Sequence, residues 1–449
     1  MRLLAPLAFT VLLLGGASRH TSAQQLDAEK LDKLLNSLAA NNKAMGSVAI
    51  ARAGQVVYSH AFGAAQVAPA QAATPATRYG ISEAASLFAK VIVFQLIEEK
   101  KLTLDTPLDT LVPQLAAAKG ESLKALLGQA FASFEYDPGQ VLTPAQVLGL
   151  ITETRQRGFV EGNTVSTYGD SNTIVLELVI EKVTGQPYAK ALQTRILSRA
   201  GLTSTGYVRA ADRRSPAARA YEWRGTGWQP YAAEALRGPS GAGTLFATPT
   251  DLNRFSEALF GGRLLSAASL ATLLDERIFG HPAIGQLTSE GRQFYSYYGE
   301  GERYWSVVEY FPAEKLAITL CTNGLTYDRE QLMSSLIHAG LGQPFELPAF
   351  RPPYVPTAAD LARYVGTYVS VMPLRYTITR EGNTLRFTSP REGSFTAEPV
   401  RRNVFTWSGA RIEFDPVEQR FTLKTAHSNF LFITEAAMLR EEQAPRARP

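Results

Sequence analysis

The 449-residue chain has one cysteine, Cys321, so no internal disulfide can brace it and its fold must rest on packing. Histidine is scarce too. Beyond His20, the residues His60, His281, His338 and His427 stand alone, without the short spacing that gathers metal ligands. No metal and no cofactor is therefore expected. Charge is nearly balanced, with 45 Lys and Arg against 41 Asp and Glu. So small and scattered an excess excludes nucleic acid or an anionic membrane as the main partner. The apolar run Leu3–Leu14 is short for a bilayer span. What the chain does have is apolar bulk: 45% of its residues are hydrophobic, enough at this length for two or three domains.

The opening MRLLAPLAFTVLLLGGASRHTSA places Arg2 before the apolar run and the small residues Ser22 and Ala23 after it. That is the pattern of a secretory signal cleaved ahead of Gln24. The sequence thus predicts bacterial export, to the periplasm or beyond the cell, with residues 1–23 removed and no transmembrane anchor left. Cleavage also removes Arg2 and Arg19 and no acid, cutting the formal positive excess from four to two. No cysteine sits beside the cleavage point to accept a lipid. Cys321, inside KLAITLCTNG, reads as a buried strand residue.

Beyond the signal, Leu26, Leu31, Leu34, Leu35 and Leu38 recur at helical spacing, and GSVAIARAGQVVYSHAFGAA alternates like two strands around Ala53-Gly54. The stretch from Glu83 to Lys100 is apolar on most faces and predicts a buried helix. A second buried helix runs from Asn172 to Val183, stopped by Thr184-Gly185. Pro249, Asp251 and Gly261 bracket a third. Residues Tyr304 to Asn323 predict a hairpin around Pro312-Ala313-Glu314-Lys315. Strands from both ends, mixed with helices, make residues 24–343 an α+β domain. Five prolines in PFELPAFRPPYVP mark residues 344–360 as a stiff linker. Over 361–436, short alternating strands at Leu374 to Thr379, Thr384 to Thr388, Val404 to Trp407, Arg411 to Phe414, Arg420 to Lys424 and Phe430 to Thr434 predict a small antiparallel β barrel or sandwich. The polar tail, 437–449, predicts disorder.

Several segments in order carry a resemblance: GSVAIARAGQVVYSHAFG, FQLIEEKKLTLDTPLDTLVPQL, YGDSNTIVLELVIEKVTGQPYAKALQTRILSRAGLTSTGY, GPSGAGTLFATPTDLNRF and the strand pair ending LCTNG. Over residues 26 to 340 the chain resembles the serine β-lactamase and penicillin-binding-protein-like family, specifically the class C and D-alanyl-D-alanine carboxypeptidase-type serine hydrolases. The resemblance implies a β-lactamase/transpeptidase-like domain, an antiparallel sheet flanked by helices, to which similar proteins append a C-terminal β domain. It also implies acyl-enzyme chemistry, with a serine nucleophile one helical turn before a lysine that takes its proton.

Counting back from Gln95-Leu96, the serine position falls on Glu83 and the lysine position on Ser86. A carboxylate there would form only a labile anhydride, and a hydroxyl is no base near neutral pH. The second motif reads Tyr168-Gly169-Asp170, keeping the tyrosine that the family uses to pass protons. The third, counted back from Phe311-Pro312, reads Tyr297-Tyr298-Gly299 and keeps only its glycine. A further segment, Leu126 to Ala132, lacks the histidine that similar proteins carry. The losses fall where catalysis resides, so the sequence predicts a retained serine hydrolase fold without hydrolysis, a pseudoenzyme. Its old cleft, walled by Glu83, Tyr168, Asp170, Tyr297 and Tyr298, would bind a small molecule, peptide or glycan.

Two other readings stay open. Ser86 and Lys90, four residues apart, share a helical face and could make a divergent esterase, peptidase or β-lactamase, with Lys90 or Tyr168 as base. Alternatively the chain is a structural envelope protein in which no cleft matters. Ser82, just ahead of the helix, is expected as its N-cap, while Glu83 could simply offset the positive helix end and Asp170 hold a structural hydrogen bond.

Overall fold

The computed structural model describes residues 26–128, 134–136, 143–157, 165–167, 169–207, 217–224, 227–231, 245–279, 284–301, 303–350, 354–370, 374–390, 393–407, 410–425 and 429–438. The expected signal peptide and all but two residues of the expected tail lie outside these. The principal elements of the first region are α1 (Ala28–Ala40), β1 (Ala44–Arg52), β2 (Gln55–Phe62), β3 (Tyr79–Gly80), α2 (Ala85–Glu98), α3 (Gly169–Thr184), β4 (Gly206–Tyr207), β5 (Leu245–Ala247), α4 (Pro249–Phe260), β6 (Gly285–Ser289), β7 (Arg292–Gly301), β8 (Tyr304–Phe311), β9 (Leu316–Leu325) and α5 (Arg329–Gly340).

Six strands form one antiparallel sheet in the order β6-β7-β8-β9-β1-β2, so the first and last strands of the region meet at its centre. Its hairpins follow from local chemistry. Arg52 pairs with Gln55 across Ala53 and Gly54, whose φ angles of 48° and 83° are the two positive values a tight two-residue hairpin needs. Phe311 pairs with Leu316 across the Pro312–Lys315 turn. Strands β8 and β9 are buried along almost their whole length because both sheet faces are covered. On one face Val48, Val307, Phe311 and Ile318 pack with Leu31, Leu35, Leu332 and Leu336 of α1 and α5. On the other, Tyr297, Val308 and Cys321 join a larger core with α2, α3 and α4. Helix α4 starts as its sequence predicts: Thr248 accepts from the Asp251 amide and Pro249 opens the first turn.

The C-terminal region is a closed antiparallel barrel. Its strands are β10 (Gly366–Ser370), β11 (Arg375–Glu381), β12 (Thr384–Ser389), β13 (Gly393–Arg401), β14 (Val404–Trp407), β15 (Ala410–Asp415), β16 (Arg420–Lys424) and β17 (Asn429–Thr434), with β10 pairing β17 to close the ring. Aromatic rings fill the interior: Phe387 stacks on Phe395 at 4.8 Å and Phe421 on Phe432 at 4.6 Å. Closure removes every sheet edge. Strands β10 and β13 go beyond the sequence expectation. Pro399 argues against a strand in β13, and the structure accommodates it at an irregularity between Pro399 and Arg401. Phe345, in the proline-rich segment, is buried against the α1–α5 core, and the Lys30 amine bonds its carbonyl. Among the described residues, polar contacts join β13 to the first region: Lys43 pairs with Glu398, and Arg303 donates to the Ser394 carbonyl at 3.0 Å.

Candidate functional site

Helix α2 does not begin as a regular helix. Residues Ser82–Ala84 form a 3₁₀ turn, and the α-helix proper starts at Ala85. Ser82 has a φ of 41°, a left-handed value that costs a non-glycine residue about 1 kcal/mol. The turn is held from several sides. The Ile81 amide donates to the Leu245 carbonyl at 3.0 Å, and the Ala84 amide to the Ile81 carbonyl at 2.9 Å. Ser82 does not cap the helix as expected. Its hydroxyl instead donates to the Gly301 carbonyl of β7 at 3.3 Å.

Strand β7 presses directly on this turn. A Cβ at Gly299 would lie 1.9 Å from the Ile81 oxygen and 2.8 Å from the Ala84 nitrogen, and one at Gly301 would lie 2.9 Å from the Ser82 hydroxyl. Only glycine allows so close an approach. The structure therefore sets Gly299 against the turn that carries Glu83, while α3, which opens at Gly169, packs on the same turn and on α2. Because α3 starts three residues before the sequence boundary, Asp170 lies in its first turn. Tyr168, the side chain of Asp170, and Gln129 to Ala132 lie outside what the structure describes.

The two tyrosines ahead of Gly299 part company. Tyr297 is 2% exposed, its hydroxyl 3.0 Å from that of Ser256 on α4 and its ring edge-on to Phe255. Burial holds its phenol well above the ordinary range. Tyr298 is 58% exposed and stands on the opposite face, opposite Val307. Successive strand residues alternate between faces, so these two cannot line one cleft together.

Glu83 and Ser86 are both half-buried. Within the described residues no base is hydrogen-bonded to the Ser86 hydroxyl, and Lys90, one turn further along, is 6% exposed with its ionisation lowered by burial to about 8. A buried acid that the sequence reading missed lies on α3: Glu177 accepts from the Tyr207 hydroxyl at 2.9 Å, and burial pushes its carboxyl up to about 8. Glu309 on β8 is similar, accepting from Ser296 at 3.1 Å and pushed by burial to about 8. Each could have been noticed as a lone acid inside an apolar run, IVLELVI and SVVEYF. The Cys321 thiol is buried and pushed up to about 12, which leaves it inert. His60 pairs with Asp32 and His338 with Glu290, and among the described residues no three His, Cys, Asp or Glu side chains gather to hold a metal.

A sheet with two helices behind it, a helical layer in front, and a helix start wedged against a glycine of the edge-side strand define the β-lactamase/transpeptidase-like class of fold. Residues 31–342 match the sequence model of the beta-lactamase family, and the chain belongs to that family. Among curated relatives, it is 27% identical over 226 residues to the putative penicillin-binding protein PbpX of Bacillus subtilis, covering 50% of this chain and 57% of that one. It is 27% identical over 255 residues to the teichoic acid D-alanine hydrolase of Staphylococcus aureus, covering 55% and 61%. The chain thus spans less than two thirds of either relative's length. Among solved structures, the octameric penicillin-binding protein homologue from Pyrococcus abyssi superposes with a TM-score of 0.59 at 18% identity, over 90% of this chain and all of that one. The D-amino acid amidase of Ochrobactrum anthropi, complexed with L-phenylalanine, gives 0.53 at 18% identity over 66% and 91%. At these identities the structural likeness concerns the fold. Among the described residues no helix is long and apolar enough to cross a membrane.

Proposed function

We propose that this protein is an exported, non-hydrolytic member of the beta-lactamase family that binds a ligand bearing a D-amino acid at the junction of the Ser82–Ala84 turn, the start of α3 and β7. One observation carries the reading: counted back from Gln95-Leu96, Glu83 and Ser86 fall where the family motif has a hydroxyl and an amine. Attack by the Glu83 carboxylate would give an anhydride, and Ser86 has no hydrogen-bonded base among the described residues to raise its nucleophilicity. The close packing of Gly299 on the turn that carries Glu83 supports a binding rather than a decayed site. An amino acid presents an ammonium group, and the Glu83 carboxylate is the matching charge. A relative named for D-alanine chemistry supports a ligand of that class.

We also propose that residues 1–23 are the export signal, that 24–343 and 361–436 are separate domains joined by 344–360, and that 437–449 is a tail. Separate apolar cores on either side of the proline-rich segment support the division. The purified protein should give no covalent adduct with fluorescent penicillin or a fluorophosphonate, and should bind D-alanine by calorimetry in a way that Glu83→Gln abolishes. An adduct on Ser86, lost in Ser86→Ala, would instead establish the divergent hydrolase. A protein that neither labels nor binds would be the structural envelope component.

A further inference from the structure

The six-strand sheet ends at β2, and among the described residues no strand pairs with its outer side. Folded proteins guard such an edge with lysine, proline, inward charge or a bulge, because its unpaired backbone groups recruit further strands. Strand β2 reads QVVYSHAF and holds no Lys, Arg, Asp, Glu or Pro. Its irregularity lies between Val56 and Tyr58, beside the hairpin. From Tyr58 to Phe62 the register against β1 is unbroken, which leaves a regular open edge. Val56 and Val57, each 46% exposed, adjoin that edge, and Ser59 is exposed within it.

Helix α1 gives the edge a second layer. It packs over both β1 and β2. The Tyr58 hydroxyl donates to Asp32 at 2.8 Å, and the His60 ring lies 3.1 Å from the side-chain oxygens of both Asp32 and Asn36. Ala28, Asp32, Asn36 and Ala39 follow one another at spacings of four and three, so they share the side of α1 nearest the edge. A strand added to β2 lies about 4.8 Å from it; if that strand carries its own helix in the same seat, the two helices come to about 10 Å, the separation of directly packed helices. Asp32 is the single charge among those four residues, and Lys33 is paired with Glu29 at 2.6 Å within the same helix. A twofold axis at Ser59 reverses the second copy, so Tyr58 meets His60 of the copy and Asp32 meets Asn36 of the copy. A carboxylate then faces an amide, and like charges do not meet.

We propose that β2 is a homodimer edge: it pairs antiparallel with β2 of a second copy about a twofold axis at Ser59, which joins the two sheets into one and sets α1 against α1 of the copy. A second copy fits this surface better than an extended segment of another protein. Such a segment brings a strand alone and leaves the Asp32–Asn36 side of α1 uncovered, whereas the copy brings strand and helix together with matching polar groups. In the sheet β2 stands four strands from β7, so the joint leaves the Ser82–Ala84 turn free in both copies and is independent of the binding reading above.

Sedimentation equilibrium of the purified protein over a concentration series tests it, and should show a reversible monomer–dimer equilibrium. Ser59→Lys, at an exposed position and checked for a native circular dichroism spectrum, puts two ammonium groups at the axis and should weaken the dimer about tenfold or more. Leu287→Lys, on the opposite edge strand β6, should leave it unchanged. Ser59→Cys should form an intermolecular disulfide under mild oxidation, because residues opposite each other across antiparallel strands stand about 4.5–5.5 Å apart at Cα, within disulfide reach. The native Cys321 is buried and does not compete. Hydrogen exchange should slow in β2 and α1 as concentration rises. A monomer at every concentration, a dimer that Ser59→Lys leaves unchanged or that Leu287→Lys dissociates instead, or a Ser59→Cys protein that fails to cross-link overturns the proposal.

Discussion

Glu177 is an acid among leucines and valines, and its cost depends on pH. Its folded carboxyl titrates near 8 against an ordinary 4.5. The folded state therefore holds a proton that the unfolded chain releases, and stability falls as pH rises from about 4.5 through 8. We predict that Glu177→Gln narrows the difference between thermal midpoints at pH 5 and pH 9, with a gain of a few kcal/mol at most at the higher pH. An unchanged difference would mean the carboxyl is not buried as described. Lys90 has the opposite sign. Its folded amine titrates near 8, so the folded state binds fewer protons than the unfolded between 8 and 10.5, and the penalty is fully present below 8. Lys90→Met should raise the unfolding free energy at pH 7, read by urea denaturation, by about 1–3 kcal/mol; a loss of stability would show that the amine has a partner. Sequence reading found both residues' helices but not these roles. Spacing puts a residue on a buried face, whereas the partner of Glu177 is Tyr207, brought in by short pairings of β4 with β5 and β5 with β3.

Local chemistry made several elements legible, the Ala53-Gly54 hairpin and the Thr248-capped α4 among them. Boundaries set by tertiary contact were not. The sequence starts a helix at Glu83; the structure puts a 3₁₀ turn there because β7 must lie against it, and Ser82 takes a left-handed backbone to bond Gly301. The same contact gives a sharp prediction. Gly299→Ala would drive a methyl group into the Ile81 carbonyl and should cost about 3 kcal/mol or more in urea denaturation. Gly285→Ala, whose added carbon would meet nothing closer than 3.7 Å, should change stability little. Equal effects would contradict the packing of β7 on the turn. The pairing of Glu83 with Gly299 was reachable from motif order, but the split between Tyr297 and Tyr298 was not, since a motif does not say which face of a strand each letter occupies.

Across the whole molecule the order of segments was readable and the joint between them was not. The barrel was foreseen as a barrel or sandwich, and what decides for the barrel is the pairing of β10 with β17, more than sixty residues apart. Its strand β13 carries both Glu398 and Ser394, which meet Lys43 and Arg303 at the end of the sheet where β7 and β8 turn. Replacing Lys43 and Arg303 together by alanine should loosen the joint, seen as faster protease cleavage between the two regions with little change in either core; unchanged cleavage would mean the contacts hold nothing. The most direct test of the central claim lies at the start of α2. Fluorescent penicillin should leave the wild-type protein unlabelled and should label the Glu83→Ser, Ser86→Lys double variant, slowly, on the restored serine. A covalent adduct on any serine of the wild type, or a folded double variant that stays unlabelled, would contradict the account.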